Sequence, residues 1–160
     1  MQYVITGSLG HISQPLSQRL LQAGHQVSVI SSDPNKAKAI EQLGAIPLIG
    51  LLADQEFVTQ AFSGADAVYT MIPPNLQTPD WAAYIHHLGE TYQAAIQVSG
   101  VPRVVHLSAI GAHLAQGAGL VSLYHQVEQQ LDALAAVEVV HLRPATFYTD
   151  FLGNIDLIKQ

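Results

Sequence analysis

The sequence predicts an α/β domain built on a doubly wound parallel sheet, and three observations predict it. Short apolar runs alternate with amphipathic helical stretches along all 160 residues. The connections are short and punctuated by glycine or proline. Hydrophobic residues make up 49% of the chain and charged residues only 11%, which suits a sheet covered by helices on both faces. A chain of this length forms one domain with a sizeable core, so residues 1–160 are read as a single unit.

Gln2–Thr6 (QYVIT) reads as a buried strand. Gly10–Ala23 has helical spacing, with Ile12, Leu16, Leu20 and Leu21 on one face, and Gly24 stops it. Gln26–Ile30 (QVSVI) is the second strand. Asp33-Pro34 supplies an N-cap and a first-position proline for a helix over Lys36–Leu43, which Gly44 ends. Ala45–Ile49 is the third strand, Asp54–Phe62 the third helix, and Ser63-Gly64 closes it. Asp66–Met71 (DAVYTM) is the fourth strand, cut off by Pro73-Pro74. Thr78-Pro79-Asp80 opens a long helix to about Val98. Arg103–Ser108 (RVVHLS) is the fifth strand, and Ala109–Gly119, rich in Gly and Ala, is a loop. Val121–Ala135 is a helix, Glu138–Leu142 (EVVHL) the sixth strand, and Arg143-Pro144 breaks it. Thr149–Gln160 reads as one more helix. Strict alternation of strand and helix argues for a parallel sheet with right-handed crossovers, the Rossmann arrangement. Ligands of such sheets bind outside the carboxyl ends of the strands.

Composition narrows the function. Six Lys and Arg against twelve Asp and Glu leave a net charge of −6 and no basic run, so nucleic-acid binding by phosphate neutralisation is not expected. The absence of cysteine excludes disulfides and thiolate metal sites and fits a cytoplasmic protein. No apolar stretch is long enough for a membrane span, and no basic-then-apolar leader opens the chain. Of the eight histidines, His86-His87 form the densest cluster, but neighbours on a helix point about 100° apart and do not chelate, so no metal is predicted. Trp81, Tyr84, Leu88 and Tyr92 recur at helical spacing and read as core or as the interface of a homodimer.

The chemistry points to the first turn. Thr6-Gly7-Ser8-Leu9-Gly10-His11-Ile12 joins the first strand directly to the first helix. Gly7 permits a tight turn, Gly10 lets the backbone approach a pyrophosphate, and the free N–H groups of the helix start bind the anion. Ser13 stands where a third glycine often packs helix against strand. The cofactor is read from the end of the second strand. NAD binders carry an acid there for the ribose hydroxyls. Here Ser31 and Ser32 follow Ile30, Asp33 is placed as a cap, and Lys36 lies one short turn on. That set favours NADP(H), with NAD the alternative.

The order of these segments resembles the NmrA-like family of atypical short-chain dehydrogenase/reductases. TGSLGHI is similar to that family's TGATGxxG, and SDPNKAKAIEQLGA to its second-helix segment. GADAVYTMIPP resembles its fourth strand and Pro-Pro exit, VVHLSAIGA its fifth strand, and VEQQL with VVHLRPATFY its last helix and sixth strand. The resemblance implies a Rossmann fold and cofactor contacts on Gly7, Ser8, Leu9, Gly10, His11 and Ile12, on Ser31, Ser32 and Lys36, on Met71, Ile72, Pro73 and Pro74, and near Ser108. It differs at Ser32, where many relatives carry an arginine for the 2′-phosphate. It differs again at Leu51, where an aspartate often meets the adenine amine, so that Leu51 would pack on the ring instead, and at Asp150, where asparagine is frequent. Relatives continue into a small C-terminal substrate subdomain that these 160 residues largely lack.

The family includes quinone oxidoreductases, isoflavone-type reductases and redox sensors that bind NADP without turnover. Short-chain dehydrogenases pair a tyrosine with a lysine four residues on, which lowers the phenol pKa. Tyr124 has Glu128 in that place, and a carboxylate acts the opposite way. In the other register Tyr124 replaces the lysine and Leu120 the tyrosine. Either way the proton shuttle is missing. The expectation is hydride transfer to a quinone-like small molecule, with Ser108 and Tyr124 orienting the reactants as the catalytic residues. The alternatives are a non-catalytic NADP(H) sensor and a sugar-nucleotide epimerase relative.

Overall fold

The structure, a computed structural model, describes the backbone of residues 1–159 and the side chains of all of these except 150, 153, 154, 156 and 157. The chain runs β1 (Gln2–Ile5), α1 (Ser13–Gln22), β2 (Gln26–Ser31), α2 (Ala37–Leu43), β3 (Ile46–Ile49), α3 (Gln55–Phe62), β4 (Ala67–Met71), α4 (Trp81–Ser99), β5 (Arg103–Leu107), α5 (Ser122–Asp132), β6 (Glu138–Leu142) and α6 (Ile155–Ile158). The strands form one parallel sheet in the order β3-β2-β1-β4-β5-β6, the doubly wound arrangement that the alternation predicts. The strand order reverses between β1 and β4, which opens a crevice above their carboxyl ends.

The caps follow the sequence signals. Asp33 accepts from Asn35 N at 3.0 Å, and Pro34 begins a 3₁₀ turn over Pro34–Lys36 that leads into α2. Asp54 and Asp80 cap α3 and α4 by accepting from Phe57 N at 3.1 Å and Ala83 N at 2.9 Å. Gly44 takes φ 93° at the end of α2, a conformation that costs other residues about 1–2 kcal/mol. Pro47 sits inside β3, tolerated because β3 is an edge strand with a free side.

Several boundaries differ from the sequence reading; α5, for one, ends at Asp132 rather than Ala135. α1 begins at Ser13 rather than Gly10, because Gly7 and Ser8 take positive φ and hold the chain in a turn. The tail is not one helix: a 3₁₀ stretch over Tyr148–Asn154 precedes a short α6. Asp150 is among the residues whose side chain lies outside the described ones, and Gln160 lies outside altogether.

Side chains alternate between the sheet faces. Val4, Ile30, Val68 and Val104 face α3, α4 and α5, where Phe62, Leu88, Tyr92, Ile96, Val127 and Leu131 complete the larger core. Ile5, Val27, Val29 and Tyr69 face the other way, toward Ile40 and the partly buried Leu16 and Leu20. Each fully buried aliphatic side chain stabilises by roughly 1.5–3 kcal/mol relative to exposure. The aromatic stripe on α4 belongs to this core: Leu88 and Tyr92 are buried, and the Phe62 and Tyr92 rings stack at 6.3 Å between centroids. Among the described residues no helix is long and apolar enough to cross a membrane.

Candidate cofactor-binding site

The crevice begins at the glycine turn. Gly7 has φ 90° and Ser8 φ 56°, an uncommon conformation for a residue other than glycine. Ser8 is held there from two sides. Its N–H donates to Ile30 O at 3.0 Å and its hydroxyl to Ser31 Oγ at 3.0 Å. Gly10 N closes the turn on Gly7 O at 3.2 Å. Ser13, in the third-glycine place, donates its hydroxyl to Thr6 O at 2.7 Å and so ties the start of α1 to the end of β1. Ile12 occupies the N-cap position and its side chain accepts nothing. Among the described residues the N–H groups of Leu9, His11 and Ile12 meet no acceptor. A helix start with free donors is an anion site.

The exit of β4 forms the opposite wall. Thr6 Oγ1 accepts from Met71 N at 2.9 Å, joining β1 to β4 at the crevice floor. Tyr92 donates to Met71 O at 2.7 Å and Tyr84 to Pro73 O at 3.0 Å, so α4 fixes the Met71–Pro74 segment. Burial raises the pKa of both phenols, and the nearby Tyr124 adds to the rise at Tyr84.

The walls enclose two adjoining lobes that share Gly7, Gly10, His11, Met71 and Pro74. The first, about 690 Å³, runs over Ser8, Ser31 and Ser32 to Leu51, Leu52 and Ala53, with Asn75, Tyr84 and Leu88 opposite. The second, about 480 Å³, lies toward Ile12, Tyr69, Leu107 and the segment Phe147–Thr149. An elongated crevice across the switch point, with the free N–H groups at its waist, has the form of a dinucleotide site. The residues therefore fit such a group on geometry.

Most of the residues singled out from sequence meet in this crevice: Gly7, Ser8, Gly10, His11, Ile12, Ser31, Ser32, Leu51, Met71, Pro73 and Pro74 all line it. Leu9 instead packs toward the core beneath the turn, and Ile72 is buried in the larger core. Lys36 is exposed on the 3₁₀ turn and is not part of the crevice wall. The sequence reading missed Leu52, Ala53 and Asn75 as lining residues, although Leu52-Ala53 follow Leu51 and Asn75 follows Pro74, and it read Tyr84 and Leu88 as core or interface, whereas both also line the first lobe. It also missed Tyr69, Leu107 and Phe147–Thr149, which reach the second lobe only through sheet order and the return of the chain after β6.

Ser108 and Tyr124 do not line either lobe. Ser108 follows β5, donates its N–H to Leu142 O at 2.8 Å, and is buried. Tyr124 is half-buried on α5, and burial raises its pKa. Four residues on, Glu128 is buried and receives a two-point contact from Arg143, Nε at 2.9 Å and a terminal nitrogen at 2.6 Å. Burial pushes the Glu128 carboxyl up, but the Arg143 guanidinium, the Ser108 hydroxyl and His141 outweigh it and hold the group below the usual carboxylate range. Ser108 acts there by proximity, because its hydroxyl closes no hydrogen bond of proper geometry. His106 is buried beside this pair, its Nδ1 2.9 Å from Thr70 Oγ1 and its ring edge-on to His141. Burial, with His141 nearby, lowers its pKa to about 4, so the ring is neutral at physiological pH. His86 lies 3.4 Å from Glu90 on the exposed side of α4. No group of three or more metal-ligating side chains forms among the described residues.

Comparison with known proteins yields one family model, described as NAD(P)H-binding, which matches residues 7–149. The triphenylmethane reductase of Citrobacter sp., solved in complex with NADP(H), is 20% identical with a TM-score of 0.82 over 99% of this chain and 54% of that one. An NADPH-dependent quinone oxidoreductase from Escherichia coli, solved with NADPH, is 18% identical with a TM-score of 0.77 over 97% of this chain and 53% of that one. Among curated proteins, a decarboxylating sterol-4-alpha-carboxylate 3-dehydrogenase of Dictyostelium discoideum is 30% identical over 64 residues, 40% of this chain and 20% of that protein. The chain thus spans about half the length of these solved structures and a fifth of the curated relative. At this level of identity the structural likeness shows the fold.

Proposed function

The chain belongs to the NAD(P)H-binding family, and from that premise we propose that it is an oxidoreductase passing hydride from NADPH to a quinone-like small molecule. One observation carries the choice of acceptor. The position four residues after Tyr124 holds a buried glutamate clasped by Arg143, where a proton-shuttling dehydrogenase needs a lysine. A ketone needs a positioned acid to protonate the alkoxide that hydride transfer leaves. A quinone yields a stabilised oxyanion that solvent protonates, so the protein need only hold donor and acceptor together. The bound nicotinamide supplies the hydride.

The chain's own residues then have defined tasks. The free N–H groups of Leu9, His11 and Ile12 hold the pyrophosphate. Leu51 and Leu52 pack on the adenine, and Ser31 and Ser32 face the adenosine ribose. Asp33 is engaged in capping Asn35, so no carboxylate lines that end of the crevice, which supports NADP(H) over NAD. Met71, Pro73 and Pro74 support the nicotinamide half. The second lobe, lined by Leu107, Phe147 and Tyr148, offers an apolar surface to an acceptor. Ser108 and Tyr124 line neither lobe, and in this reading they act from outside the crevice. Net charge −6 and the absence of cysteine suit a small-molecule enzyme of the cytoplasm. The named neighbours, a triphenylmethane reductase and a quinone oxidoreductase, support the same class.

A second reading is a sensor that binds NADP(H) without turnover, favoured because neither Ser108 nor Tyr124 is among the lining residues of the crevice. Oxidation of NADPH followed by absorbance, with a quinone panel and a ketone panel, separates the two. Turnover with quinones and only a modest loss in Tyr124→Phe supports the proposal. Ketone reduction abolished by Tyr124→Phe overturns it, and tight NADPH binding without turnover of any acceptor transfers the case to the sensor.

A further inference from the structure

A dinucleotide carries two negative charges on its pyrophosphate, and NADP adds a phosphate monoester on the ribose. Proteins commonly answer such charge with arginine or lysine. Across both lobes the described lining residues include no Lys, Arg, Asp or Glu. His11 is the one lining residue whose side chain can carry a positive charge. It is exposed, borders both lobes, and lies beside Gly10 in the stretch whose N–H groups are unpaired. The other titratable groups in the crevice are the phenols of Tyr69 on β4, Tyr84 on α4 and Tyr148 after β6, and phenols are uncharged in this range. Nothing else that faces the crevice among the described residues can supply or cancel a positive charge there.

We infer that His11 is the counter-charge of the site: the pyrophosphate draws a proton onto its imidazole, so that dinucleotide binding takes up a proton and tightens as pH falls. The inference rests on the reading of the crevice as the dinucleotide site. The amino end of α1 repels a cation, so the imidazolium gains little until an anion arrives between them. An ordinary imidazole titrates near pH 6.5, and the bound anion raises that value. The added affinity is therefore complete below the free imidazole's range and is lost as pH rises through the higher value of the complex. An exposed ion pair of this kind corresponds to a change of roughly five-fold in the dissociation constant.

The test is calorimetric titration of the whole chain with NAD⁺ and with NADP⁺, from about pH 5.5 to about pH 8.5, in paired buffers of different ionisation enthalpy. NAD⁺ isolates the imidazole, because the ribose phosphate of NADP⁺ titrates in the same range. The expected result is NAD⁺ binding roughly five-fold weaker at the alkaline end. Proton uptake should show as a buffer-dependent enthalpy near neutral pH. His11→Gln should bind weakly at every pH with no proton uptake, and His11→Lys should bind tightly across the range. All three keep the backbone N–H at this position, and circular dichroism checks their folding. Wild-type binding with a flat pH profile and no proton uptake overturns the role of His11 and leaves the cofactor site standing. The same slope persisting in His11→Gln overturns it as well. Failure of both dinucleotides to bind wild type at any pH overturns the cofactor site, and the inference with it.

Discussion

Gly7→Ala tests whether the turn at the crevice is as constrained as its geometry states. Gly7 has φ 90°, where a residue with a Cβ costs roughly 1–2 kcal/mol. The new Cβ would stand 2.6 Å from Ser13 Oγ and 3.2 Å from Met71 Cγ and Sδ. Met71 can yield, because a thioether chain has freely adjustable torsions. Ser13 cannot yield without loss: it is buried, and its hydroxyl is committed to Thr6 O at 2.7 Å. Turning that hydroxyl away forfeits a hydrogen bond worth about 0.5–1.5 kcal/mol and strands a buried carbonyl. The two contributions place the loss of stability at roughly 1.5–3.5 kcal/mol. Urea denaturation followed by circular dichroism reads it as a lower midpoint at unchanged slope. Ser13→Ala removes the atom that the Cβ meets, so the double variant should be about 1 kcal/mol more stable than the sum of the single losses implies. A Gly7→Ala cost below about 0.5 kcal/mol, or strict additivity with Ser13→Ala, would refute the reasoning.

Gly10→Val should lower dinucleotide affinity at least about ten-fold in a fluorescence titration, with circular dichroism as the folding control because its Cβ would stand 3.0 Å from Gly7 O. Unchanged affinity in the folded variant would remove the pyrophosphate from this turn. NADPH should bind more tightly than NADH in the same titration, since no carboxylate lines the Ser31 and Ser32 end of the crevice; a preference for NADH counts against the assignment of Ser31 and Ser32. His106 is neutral in the fold with a pKa of about 4, against about 6.5 unfolded. Its contribution to stability is therefore complete above about pH 6.5 and is lost as pH falls toward 4, about 3 kcal/mol in all. Thermal melts across this range should show the loss in wild type and a flatter profile in His106→Leu; equal slopes would show that another group governs acid stability.

What was legible in the sequence was what depends on local spacing. Strand and helix alternate through complete apolar faces, so six strands in a parallel sheet follow from the short connections and crossover handedness, while their order across the sheet does not. Asp33 caps as the sequence reads it, and Asp54 and Asp80, read only as helix openings, prove to be caps as well, because a cap needs only a side chain and the next turn of backbone. The glycine turn was legible for the same reason. The start of α1 was not, since the left-handed φ of Ser8 is sustained by Ile30 and Ser31, some twenty residues away. Nor were Tyr69, Leu107 and Phe147–Thr149, which meet in the second lobe only after β4, β5 and the chain beyond β6 lie side by side. The pairing of Glu128 with Arg143 shows what is gained when the two kinds of information combine. Sequence alone leaves a glutamate where a lysine is wanted and suggests a missing part. In the fold that glutamate is buried, held ionised by a cation from the end of β6, and joins α5 to the strand whose continuation walls the second lobe. A lysine placed there would face Arg143, so the position is committed to this ion pair between α5 and the end of β6.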